Sequence, residues 1–229
     1  MIGVKIFDPP EWNVREIMRY ARIRGADESY RGLIDECVAE AESALSYRVC
    51  YMFSDICREE DRLSFSGVSV SSATLSKALK DADRLLLFAA TVGAPFDRLI
   101  QRYSRLSPSK ALIFQAIGAE RVESLCDAFC SGINASLCAD DMKLTTRVSP
   151  GYGDMALDMQ RDIFALLDCP RKIGLTLDES LLMSPSKSVT AICGVIGSDR
   201  ATDTNKCGSC GSIDCPYRTE DDLWNSENT

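Results

Sequence analysis

Histidine is absent from the 229 residues, and that single gap removes whole mechanisms. Ser-His-Asp hydrolysis, Cys-His proteolysis, His-ligated zinc and any imidazole proton shuttle cannot be built from this chain. Basic charge is also short: 26 Lys and Arg stand against 34 Asp and Glu, a net charge of −8. A phosphate-backbone binder needs clustered cations, so nucleic acid is not an expected partner. Long apolar runs are missing as well. The longest, Leu85 to Ala90, falls far short of the roughly 20 residues a membrane helix needs, which predicts no membrane span. Met1 to Trp12 lacks both the basic segment and the apolar stretch of a secretory signal, so the expected location is cytoplasmic.

What remains is an ordinary globular composition, 45% apolar and 26% charged, which excludes disordered, collagenous and coiled-coil classes. A chain of this length buries roughly 70% of its unfolded surface and needs no disulfide staples. The 11 cysteines therefore point to core packing or ligation rather than a disulfide framework. Cys37, Cys126 and Cys130 fall on apolar helical stripes and read as core.

Along the chain, Val14, Ile17, Met18 and Ala21 keep helical spacing behind a cap at Asn13, and Leu33 to Leu45 carry the clearest apolar stripe of the first half. Val49, Tyr51 and Phe53 alternate as a strand; Leu63 to Val70 alternate again around Gly67. Ser72 caps a helix through Leu79, Arg84 to Ala90 reads as a buried strand, and Pro95 opens a helix through Tyr103. Pro108 to Leu137 holds helical period throughout, which predicts one long, mostly buried helix. Lys143 to Val148 reads as a strand. After it come a Gly/Pro loop, a helix over Met155 to Leu167 capped by Asp154, a short strand at Leu175 and Leu177, and a final strand at Ser188 to Ile196. Strands and helices alternate too irregularly for a doubly wound parallel sheet. The expected fold is α+β, a twisted and mainly antiparallel sheet with packed helices over residues 1–197, followed by a Cys-rich tail over 198–229.

Two constellations carry chemistry. Arg147-Val148-Ser149-Pro150-Gly151-Tyr152 places a guanidinium before two glycines that flank an aromatic ring. Such an Arg can grip a carboxylate while the glycines let the main chain approach a ligand; a plain strand-to-helix turn needs the same Gly and Pro. Cys207, Cys210 and Cys215 form a tight thiol cluster in a Gly/Ser-rich stretch. This set suits zinc or an iron–sulfur cluster, with Cys193 or an external ligand as the fourth donor; a reduced Cys-rich tail is the plain alternative.

The run RVSPGY, followed by the stretch from Asp162 to Val195, resembles the activation domain of cobalamin-dependent methionine synthase. Arg147, Pro150, Gly151, Tyr152, Ile173, Gly174, Leu177, Met183, Pro185, Ser188 and Val189 match that family's pattern in order. Ala89 to Gly93 and the helix carrying Glu123 resemble its free-standing form. The resemblance implies an S-adenosylmethionine-binding accessory subunit of a methyltransferase, a methionine synthase lacking its own activation domain. Its cobalamin-binding module would be the partner. Reduction of cobalt(II), uphill by itself, is drawn forward by methylation; proximity and orientation are the protein's contribution. By the same resemblance Arg147 holds the methionine carboxylate, Ser149 and Gly151 offer main-chain contacts to the adenosine end, Tyr152 packs beside it, and Glu123, in a Glu-x-x-x-acid pattern with Asp127, faces the amino group or sulfonium. A reducing electron donor is also implied. The family's long form has Cys-Pro-Asp-His after its Pro-Gly-Tyr, where this chain has Gly153-Asp154-Met155. Two other readings stand beside this one: a reactivator of another corrinoid methyltransferase protein, and a non-catalytic metal- or redox-sensing module on the same fold.

Overall fold

The computed structural model describes residues 1–23, 28–59 and 62–200. The residue pattern of its central strand explains the layering. β6 (Arg84–Thr91) is buried from its second residue onward. Leu86, Phe88 and Ala90 point into one core, and Leu85, Leu87 and Ala89 into another. A strand with helices on both faces has no solvent side, so its apolar residues run continuously instead of alternating.

Around β6 the main sheet is antiparallel throughout, in the order β1 (Gly3–Phe7), β2 (Tyr47–Asp55), β6, β10 (Ser188–Gly197) and β7 (Met142–Leu144). One face carries α1 (Val14–Tyr20), α2 (Glu28–Glu42), α4 (Ala94–Leu106) and the 30-residue α5 (Pro108–Leu137). The other carries α3 (Ala73–Ala78), α6 (Met159–Leu167) and α7 (Cys169–Ile173). The α+β expectation and the long central helix are both observed. α5 starts where the sequence says, at Pro108 in the first turn behind the Ser107 cap. It buries Phe114, Ile117, Leu125, Phe129 and Ile133 against the sheet.

Small elements account for most departures. Leu63 to Val70 is a hairpin, β4 (Arg62–Phe65) and β5 (Val68–Val70), because Ser66 and Gly67 both take positive φ, 48° and 84°. That turn matches the strand twist. β3 (Cys57–Glu59) pairs with β4, and β8 (Thr176–Leu177) with β9 (Met183–Ser184). The strand expected over Lys143 to Val148 stops at Leu144. Thr145 and Val148 then each reach β10 singly, the latter as an isolated bridge to Ile192. The helix expected from Met155 begins at Met159. Asp154 does not cap it; the carboxylate serves α3 instead, accepting from Ser72 Oγ at 2.7 Å, Ala73 N at 2.6 Å and Thr74 N at 3.0 Å. Among the described residues no helix is long and apolar enough to cross a membrane.

Candidate functional site

Arg147 lies between the end of β7 and the bridge at Val148, a stretch tied to β10 and facing α5. Its Nη2 is 2.9 Å from Glu123 Oε2 and 2.9 Å from Asp127 Oδ1, two acids one turn apart on α5. The three differ in burial: the Arg147 side chain is 19% exposed, Glu123 44% and Asp127 71%. Burial works against the guanidinium's charge; the Asp127 and Glu123 carboxylates beside it outweigh that and raise its pKa. Behind it, burial pushes the Cys126 thiol far above the ordinary range, so Cys126 is a neutral packing residue. The second guanidinium nitrogen, Nη1, is shielded from solvent and has no hydrogen-bond partner. A buried donor left unpaired costs roughly 1–3 kcal/mol, a cost recovered when the side chain shifts far enough for a ligand acceptor to reach this atom.

The next six residues form the loop. Gly151 takes φ 89° and donates to Met155 O at 2.9 Å, and Gly153 takes φ 60° with Thr74 Oγ1 standing where a Cβ would be. Neither position tolerates a side chain without strain. Asp154 fastens the loop's far end to the N-terminus of α3. Hydrogen bonds to three donors, from Ser72, Thr74 and Ala73, hold its carboxyl well below the usual range. Gly153, Asp154 and Met155 are thus the residues that clamp this loop. Ser149 is half-buried, Pro150 is buried, and the Tyr152 ring is 71% exposed, free to meet something other than its own core.

Of the expected site residues, Glu123 and Arg147 are in direct contact, and Ser149, Gly151 and Tyr152 follow Arg147 in the adjoining loop. The structure adds Asp127 as a full second partner of Arg147. It also adds Tyr20 of α1, whose hydroxyl pKa is raised by burial and by the nearby Glu123. Nothing local in the sequence signals Tyr20, since α1 meets α5 across about a hundred residues of chain. Chemically, a shielded guanidinium N–H beside two carboxylates suits a zwitterion, with a ligand carboxylate on Nη1 and an ammonium on the acids.

Cys207, Cys210 and Cys215 lie outside the described residues. Cys193 is buried in β10 beside Cys130, its sulfur in the core under α5. Among the described residues no cluster of three or more Cys, Asp or Glu could hold a metal ion.

The crystal structure of the MetH reactivation domain bound to AdoHcy matches this chain with a TM-score of 0.63. The match covers 88% of this chain and 80% of that one, at 15% sequence identity. The chain has the fold of the MetH reactivation domain. In this chain that architecture is filled by the β6 run and the α5 stripe. No protein-family model matches the sequence, and no curated protein is detectably similar to it.

Proposed function

We propose that the chain binds S-adenosylmethionine at Arg147 and presents its methyl group to a corrinoid carried by a partner module, that of a methionine synthase lacking its own reactivation domain. The observation that carries this reading is the unpartnered Arg147 Nη1, beside Glu123 and Asp127, at the head of a Pro-Gly-Tyr loop on this fold. Arg147 takes the methionine carboxylate on Nη1 and keeps Nη2 on the acids. Glu123 and Asp127, two negative charges against one positive, hold the ammonium and suit a ligand whose sulfonium adds a further positive charge. Gly151 lets the main chain approach the nucleoside end, and the exposed Tyr152 ring covers it. The corrinoid supplies the methyl acceptor: one electron from an external donor reduces cobalt(II), the sulfonium methyl passes to cobalt, and S-adenosylhomocysteine is left. The chain contributes a fixed approach of methyl to metal and no acid–base chemistry.

The test mixes the full chain with S-adenosylmethionine, a one-electron reductant and the cobalt(II) form of a candidate corrinoid module. The methylcobalamin absorption spectrum should appear only when both chain and ligand are present. An unchanged cobalt(II) spectrum across methionine synthase modules, with formation on another corrinoid protein, moves the assignment to that protein. Failure on all of them ends the reactivation reading.

A further inference from the structure

Two free cysteines far apart in the chain meet on the face of the sheet opposite Arg147. Cys50 of β2 and Cys169, the first residue of α7, are 119 positions apart with their sulfurs 3.9 Å from each other. Both are fully buried. One belongs to the sheet and the other to the helical layer, so the contact crosses the second core. Sulfurs in van der Waals contact need to close by under about 2 Å to reach disulfide bonding distance, a movement side-chain rotation can supply when the Cα atoms are suitably placed.

An open cleft of about 450 Å³ is lined by Arg161, Phe164, Asp168, Pro170, Thr176 and Leu177, and two of these residues flank Cys169 in the chain. α7 is five residues long, and Pro170, Arg171 and Lys172 on its outer turn are exposed. A short surface helix of this kind opens locally at far less cost than the whole fold. The two thiols also differ: the hydrogen bond they share pushes the Cys50 thiol down and, together with burial, pushes Cys169 up.

We propose that Cys50 and Cys169 are an oxidant-responsive pair, closing into a reversible disulfide that staples α7 to β2 when the chain meets a peroxide. One thiol attacks hydrogen peroxide to give a sulfenic acid and release one water. The other then attacks the sulfenic sulfur, forming the S–S bond and releasing a second water. Two thiol protons and two electrons leave the pair, and the peroxide is reduced to two waters. The inference does not depend on what Arg147 binds.

The experiment treats reduced full-length chain with stoichiometric hydrogen peroxide, blocks remaining thiols with N-ethylmaleimide, digests without reductant and maps linked peptides by mass spectrometry. A peptide pair joined through Cys50 and Cys169 is expected, lost on dithiothreitol treatment. A raised unfolding temperature should accompany it, by about 5–10 °C for so long a closed loop. Cys50→Ala and Cys169→Ala should each abolish the link and the rise. Cys50 and Cys169 both alkylated after unfolding with no link between them would overturn the proposal. So would linkage of Cys130 to Cys193 in their place, or oxidation of either thiol that stops at sulfinic acid. These readouts on wild-type chain stand even if a variant folds poorly.

Discussion

Asp154 binds three donors at the start of α3, and that makes its charge state a stability switch for the Pro-Gly-Tyr loop. Because its folded pKa is depressed, its contribution is complete above the unfolded value of about 4 and fades as pH falls below it. Asp154→Asn should therefore lower the unfolding temperature at pH 7 and leave it nearly unchanged, relative to wild type, at the lowest pH where the protein still folds. Hydrogen exchange at Ala73 and Thr74 should speed up in the variant at pH 7. Glu120 makes a different case. It is 2% exposed beside the fully buried Arg121, whose guanidinium also takes the Pro10 and Glu11 carbonyls and stacks on Trp12. Glu120→Ala strands a buried cation and should cost about 3–5 kcal/mol in urea unfolding. In the sequence, Glu120, Glu123 and Asp127 are three acids at helical spacing, equally suited to plain exposure. Only the packing of α1 and the N-terminal segment on α5 separates the buried Glu120 from the two that reach Arg147. Residue roles that depend on a distant partner were therefore the least legible.

Elements fared better wherever a long periodic stripe or a cap specified them. α5 and β6 are read directly from sequence because their apolar residues repeat over many positions. Elements of two or three residues, such as β3 and β9, carry too few positions for a period. The start of α6 was misplaced because Asp154 has cap chemistry for whichever helix lies nearest in space. Gly118 shows how α5 is fitted to its surroundings. A Cβ there would lie 2.6 Å from the Phe96 ring of α4 and 2.7 Å from Lys187 Cγ. Lys187 can swing aside; Phe96 is fully buried and cannot. Gly118→Ala should gain about 1 kcal/mol of helix propensity and lose more to overpacking, for a net cost of about 1–2 kcal/mol. Thermal unfolding checks this, and a stabilised variant would mean that α4 and α5 are more loosely packed than described.

At the scale of the whole molecule, two cores share one sheet. Among the described residues both end before Gly197, and Ser198 and Arg200 fasten the end of β10 to Asp141 and Asp81. The α+β class and the order of the larger elements were legible from periodicity, whereas the sheet order, which brings β10 between β6 and β7, follows from pairings no local pattern encodes. Arg147 and its loop were legible as a motif; the unpaired Nη1 and the doubled acid partner were not, because they are products of that pairing. The central claim, that this fold holds S-adenosylmethionine through Arg147, is tested most directly by calorimetric titration of the full chain with S-adenosylmethionine, wild type against Arg147→Ala. Truncating one partner of a shielded charge pair costs about 2–5 kcal/mol, so the variant should bind at least about tenfold more weakly with its fold intact. Equal affinity in the two proteins, or no binding to wild type, contradicts the account.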